Sequence, residues 1–156
     1  FCKEIGCDGV VIGALDKEGR VHKKQLQKMV EVAGKMGVTF HRAFDVAADA
    51  KQALETIVEC GCDRLLTSGQ APKATGGIKI LKQLVDQADN RIEIMVGSGV
   101  NANNCLSFYP IGIRQFHLSG TESIVQEKDD FGFGANILQT NPQKIQEVVD
   151  ALEDLE

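Results

Sequence analysis

The chain has 156 residues, 43% of them hydrophobic and 25% charged, and carries a net charge of −5. That length suits a single domain, residues 1–156, with a substantial core, and is short for two. The acidic balance leaves no basic footprint for nucleic acid, and no apolar run nears the roughly 20 residues that span a bilayer, so neither nucleic acid nor membrane is an expected partner and the cytoplasm is the expected setting.

In chain order, a β-prone run at residues 10–13 predicts the first strand. Leu26, Met29, Val30, Ala33 and Met36 then recur at helical spacing. Residues 38–41 predict a second strand, followed by a helix whose apolar face is Ala53, Leu54, Ile57 and Val58. Residues 65–68 predict a third strand, and Ile78, Leu81, Leu84 and Val85 a third helix. A fourth strand falls at residues 94–97, a short helix follows Asn101, and residues 113–117 predict a fifth strand. The segment from Thr121 to Thr140, with Phe131, Gly132, Phe133 and Gly134, is longer than an ordinary connection and reads as a lid or a disordered loop. The final helix has the clearest start. Thr140 or Asn141 caps it, Pro142 occupies its first turn, and Ile145, Val148, Val149, Leu152 and Leu155 form its expected buried stripe.

The units repeat. Glu4-Ile5-Gly6-Cys7-Asp8 before the first strand is echoed by Glu59-Cys60-Gly61-Cys62-Asp63 before the third, and glycines at 37 and 112 introduce the second and fifth. Short strands alternating with helices demand parallel pairing, because each helix returns the chain to the same end of the sheet. A doubly wound sheet usually carries G-x-G-x-x-G after its first strand, and Gly13-Ala14-Leu15-Asp16 is not that. Within the strands, Phe40, Ile94, Val96, Phe116 and Leu118 make an apolar face, whereas Thr39, His41, Glu93, Gln115 and His117 make a polar one. A polar inward face suits the lumen and mouth of a parallel (β/α)8 TIM barrel. Such a barrel has about 250 residues, so roughly 90 are unaccounted for, and the expectation is the last five βα units, strands 4 to 8, of a barrel whose first units precede this chain. Five strands alone leave two free edges, and from them we expect poor stability or self-association, a homo-oligomer included.

Barrel active sites lie at the carboxyl ends of the strands. That rule selects His41, Arg42 and Asp45: a proton-exchanging imidazole, an anion-holding guanidinium and an orienting carboxylate. The same residues also read as a structural network in which Arg42 and Asp45 pair. A second set, Ser68, Gly69, Gly97, Ser98, Gly99, His117, Ser119 and Gly120, ends the last three strands. Glycine there lets backbone N–H groups approach a phosphate or other small anion, with the helix after Asn101 adding its positive end. Arg64 and Glu93 read as an ion pair on the lumen face, and His22 as a solvated loop residue.

Val38-Thr39-Phe40-His41-Arg42-Ala43-Phe44-Asp45, Arg64-Leu65-Leu66-Thr67-Ser68-Gly69-Gln70 and Ile94-Met95-Val96-Gly97-Ser98-Gly99-Val100, in that order, resemble the CutC copper homeostasis family. Gly9-Val10-Val11-Ile12-Gly13-Ala14-Leu15-Asp16 and the stretch ending at His22 resemble it too. The resemblance implies a TIM barrel, a cytoplasmic protein and a role in handling copper, as Cu(I), through cysteines on early strands that this chain lacks. Its own cysteines, Cys2, Cys7, Cys60, Cys62 and Cys105, read as reduced thiols. Only Cys60 and Cys62 have a short metal-like spacing, and a buried thiol is more often a small hydrophobe. The residues thus leave three readings: copper handling, an enzyme for a small phosphorylated or carboxylated substrate built on His41, Arg42 and Asp45, and a non-catalytic binding barrel.

Overall fold

The computed structural model describes residues 1–125 and 136–153. Five parallel strands form one sheet in sequential order. They are β1 (Gly9–Ile12), β2 (Gly37–Phe40), β3 (Arg64–Thr67), β4 (Glu93–Val96) and the short β5 (Gln115–Phe116). The crossovers are α1 (Lys23–Ala33), α2 (Ala50–Glu59), α3 (Ile78–Ala88) and a 3₁₀ segment, Cys105–Ile111, where a helix after Asn101 is predicted. Smaller 3₁₀ turns, Arg42–Val46 and Ala74–Gly76, follow β2 and β3. The strand order never reverses among these five, so they contain no switch point of the doubly wound kind.

Both α1 and α2 begin where a side chain takes up an orphan amide, whereas α3 starts at Gly77 without one. Asp49 accepts from the Gln52 amide at 3.0 Å to start α2. His22, read from sequence as a solvated loop residue, caps α1 by accepting from the Gln25 amide through Nδ1 at 3.3 Å. The apolar stripes then close on one face of the sheet. Phe40, Leu65 and Val96 are fully buried beneath Leu26, Leu54, Ile57, Leu81 and Leu84.

Register explains the other face. Val11, Thr39, Arg64 and Glu93 stand side by side across four strands, and Leu66, Met95 and Gln115 form the next row. Arg64 Nε donates to Glu93 Oε2 at 2.9 Å, so the expected pair forms, on a surface where both side chains remain partly solvated. Val11 on this face is 62% exposed.

The carboxyl-terminal segment differs from expectation. Its ends are not a disordered loop but form an antiparallel hairpin, β6 (Thr121–Val125) with β7 (Asn136–Thr140). Phe131, Gly132, Phe133 and Gly134 lie outside the described residues. The last helix, α4 (Pro142–Glu153), starts as expected, with Asn141 Oδ1 accepting from the Gln143 amide at 2.9 Å. Its stripe is only partly covered. Val148 is buried against the 3₁₀ segment side of the core, while Ile145 and Val149 are more than a third exposed. Periodicity reports that a helix has an apolar face, and not how much of that face finds a partner.

Leu54 is fully buried and Val32, on a neighbouring helix, is 65% exposed. Leu54→Ala is expected to lower stability by about 2–5 kcal/mol and Val32→Ala by less than about 0.5 kcal/mol, read from urea unfolding midpoints.

Candidate functional site

The 3₁₀ turn after β2 is welded to the end of β3 by one carboxylate. Asp45 accepts from Arg42 Nε at 2.7 Å, Thr67 Oγ1 at 2.5 Å, the Ser68 amide at 3.0 Å and the Gln70 amide at 3.2 Å. Its side chain is only 8% exposed. Ser68 Oγ stands 2.9 Å from Asp45 Oδ2 and 2.5 Å from the Ala71 carbonyl. A hydroxyl has one proton, so it donates to one of these, and it accepts from Arg42 Nη2 at 3.0 Å. Burial pushes the Asp45 carboxyl upward, but the donors from Thr67, Arg42 and Ser68 outweigh it and hold the group below the usual carboxylate range.

With its lone pairs committed, Asp45 positions the turn, and Arg42 is its partner. The structure brings Arg42 and Asp45 together as an ion pair, and among the described residues His41 has no side-chain hydrogen bond to either. His41 Nδ1 accepts from the Ala43 amide at 3.1 Å, which requires that nitrogen to be unprotonated and puts the proton of the neutral ring on Nε2. The ring lies over Gly13 at the end of β1. A Cβ there would stand 2.7 Å from His41 Cε1 and 2.8 Å from Nδ1, so only glycine leaves room.

The second residue set divides. The Ser68 amide is taken by Asp45 and the Gly69 amide by Thr67 Oγ1 at 2.9 Å, so neither can receive an anion. Gly97 donates to the Thr67 carbonyl at 3.0 Å, and Gly120 is covered by Ile145. Ser119 Oγ pairs with Thr121 Oγ1 at 2.7 Å. The Ser119 and Gly120 amides have no hydrogen-bond partner among the described residues; Ser98 and Gly99 are the other such pair. Ser98 and Gly99 both have left-handed backbones, with φ of 83° and 75°. The exposed His117 packs against Gly97, where a Cβ would stand 3.5 Å from its Cδ2. The 3₁₀ segment after Asn101 adds little, because Asn104 and Asn101 side chains already accept from the amides of Asn101 and Asn103.

Two residues of this region escape a reading of the sequence. Gln70 adopts a left-handed backbone (φ 57°), and its side chain donates to the carbonyls of Ala47 at 2.7 Å and Phe44 at 3.3 Å. Lys73 lays its stem over Gly99, with its Cδ 3.3 Å from where a Cβ would stand. Gln70 ends the Arg64–Gln70 run without any sign of this role, and Lys73 belongs to no motif; the only signal is proximity to the glycines.

The Cys60 and Cys62 thiols are buried. Burial pushes Cys62 up to about 12, and Cys60 donates to the Lys23 carbonyl at 3.8 Å. Both are therefore protonated core groups. Among the described residues no three His, Cys, Asp or Glu side chains are grouped to hold a metal ion.

These features define an α/β protein with a parallel sheet and a polar site at the carboxyl ends of its strands. The CutC family model matches residues 1–122, and the chain belongs to that family. It is 46% identical over 125 residues to a CutC family protein of Bacteroides fragilis, covering 80% of this chain and 50% of that one. The corresponding protein of Xanthomonas campestris pv. campestris is 47% identical over 119 residues, or 76% and 50% of the two chains. The chain thus spans about half the length of these curated relatives. A solved structure of CutC from Streptococcus agalactiae, a copper homeostasis protein by name, has a TM-score of 0.70 at 32% identity over 74% of this chain and 58% of that one. Thiamine phosphate pyrophosphorylase from Pyrococcus furiosus has a TM-score of 0.64 at 15% identity, over 98% of this chain and 63% of that one, which shows the fold alone. No described helix is long and apolar enough to cross a membrane.

Because Asp45 has a lowered folded-state pKa, its contribution to stability is complete above the unfolded value of about 3.9 and is lost as pH falls through the folded value. Between about pH 5 and pH 3 the urea midpoint of the wild type is expected to fall more steeply than that of Asp45→Asn, which has no such proton to gain; parallel pH profiles would contradict this.

Proposed function

We propose that this chain acts in copper homeostasis in the cytoplasm, as units four to eight of a (β/α)8 barrel, with Cu(I) as the cargo of the whole protein. The observation that carries this reading is the family match over residues 1–122, with the CutC structure of Streptococcus agalactiae beside it. The sequential sheet, covered by helices on one face and carrying Arg64, Glu93 and Gln115 among apolar residues on the other, is the arrangement an arc of such a barrel would have. Cys60 and Cys62 do not suit Cu(I), being protonated and packed, so on this reading the copper ligands lie chiefly outside this pair. The exposed Val11 and the outer edge of β1 would then meet further strands of the same barrel, or a second copy of the chain.

Competition titration of the full-length protein with a Cu(I) chelator tests the reading. Tight binding that thiol alkylation abolishes is expected, and binding should survive Cys60→Ser with Cys62→Ser. No competition with the chelator would remove copper from the account.

A second reading, an enzyme or binding barrel for a small phosphorylated or carboxylated ligand, has its own support in the unpartnered amides of Ser98 and Gly99 beside Lys73 and His117. His41 would be the proton carrier there, through Nε2, and Arg42 and Asp45 would hold it in place. Titration with inorganic phosphate should move the backbone amide resonances of Ser98 and Gly99, and Lys73→Ala should weaken that binding about tenfold, the loss of one charge-assisted contact. Unmoved resonances at millimolar phosphate would exclude the site. If phosphate binds and His41→Ala leaves every observable unchanged, the barrel binds without turnover.

A further inference from the structure

Three turns among the described residues close in the same way. At each, a glycine with a left-handed backbone, Gly6 (φ 75°), Gly61 (φ 82°) or Gly112 (φ 93°), leads the chain out. The residue after it donates to the carbonyl five positions back: Cys7 to Cys2 at 3.0 Å, Cys62 to Ile57 at 3.4 Å and Ile113 to Phe108 at 3.3 Å. A shorter bond nests inside each, from Gly6 to Lys3, Gly61 to Val58 and Gly112 to Tyr109. This paired pattern is the Schellman motif, which sets the side chains at the ends of the longer bond against one another, usually as an apolar contact.

At two of the three turns that contact is what the structure holds. Ile57 with Cys62, and Phe108 with Ile113, are all buried. At the first turn both positions are cysteine, and both are half-exposed. Burial, followed by the neighbouring Cys2, pushes the Cys7 thiol upward, as expected for two thiols that share one site. The exposed Lys3 of this turn lays its side chain beside Gly34, at the end of α1.

We propose that Cys2 and Cys7 form a reversible dithiol–disulfide site whose oxidant is a small-molecule disulfide. One protein thiolate attacks a sulfur of the oxidant, forming a mixed disulfide and releasing one thiolate. The other protein thiol, on losing its proton, attacks the protein sulfur of that mixed disulfide and releases the second. Two electrons and two protons pass to the oxidant, leaving one Cys2–Cys7 bond and two small thiols. The motif supplies the closeness of the two backbones that disulfide geometry demands. The resulting staple would lock the turn that leads into β1, the edge strand of the sheet. Cys60, Cys62 and Cys105 are buried and are built-in controls that the oxidant should leave untouched.

The test equilibrates the full chain with oxidised glutathione, blocks free thiols by alkylation, and cleaves with trypsin, which cuts after Lys3. Peptides 1–3 and 4–17 should then appear joined, with the joined species about 2 Da lighter than their sum and separated by reductant. Cys2→Ser and Cys7→Ser should each replace the link with a glutathione adduct on the remaining cysteine. In denaturing urea the ratio of link to adduct should fall about tenfold, because the fold no longer holds the thiols together. Glutathione adducts on both cysteines without a link, no reaction at either cysteine, or an equal ratio in urea would each overturn the proposal.

Discussion

The site depends on one buried carboxylate. Taking Asp45 out of water is costly, and the cost is offset only because four donors from three sequence positions and one flanking turn converge on it. Those donors do more than satisfy a charge. Through Thr67, Ser68 and Gln70 they fix where β3 ends and how its loop departs, and through Arg42 they fix the turn that follows β2. Gln70 closes the loop from the other side by reaching the carbonyls of Phe44 and Ala47. His41 begins that turn, so its ring position over Gly13 depends on the same knot.

Much of the scaffold was legible because the periodicities are local. Strand runs and helix stripes can be read without knowing their partners, and the first four strands of the parallel sheet fall within one residue of expectation. β5 is shorter than its β-prone run, because pairing on one side only reaches Met95 and Val96. The hairpin of β6 and β7 was not legible: its strands lack clean alternation, and its register is set by pairing between distant residues. The uncovered part of α4's stripe shows the same limit. An apolar residue announces a face, but burial depends on what lies opposite.

The candidate site was legible as residue types and not as roles. The Arg42–Asp45 spacing allowed both a catalytic cluster and a structural pair, and the structure shows that the pair forms. The glycine-rich strand ends looked alike in sequence, yet the amides at Ser68 and Gly69 are consumed by the knot while those at Ser98 and Gly99 are left open. Gln70 and Lys73 matter through backbone conformation and proximity, neither of which has a sequence signature. The cysteines carry the same lesson. Cys62 and Cys7 occupy equivalent positions in repeated turns, and the residue five places earlier, Ile57 in one and Cys2 in the other, makes one a packing contact and the other a thiol pair.

Family membership supplies a setting for these features, and the geometry supplies their parts. Copper homeostasis is the function we propose for the whole protein, and the knot at Asp45 is what this chain contributes to the order of its strand ends. Amide hydrogen exchange at Ser68 and Gln70 tests that central claim most directly. In the wild type both amides should exchange slowly, and in Asp45→Asn both should lose protection by about tenfold or more while the Leu65 and Leu66 amides of β3 keep theirs. Unchanged protection at Ser68 and Gln70 in the variant would show that the loop is held by something other than Asp45.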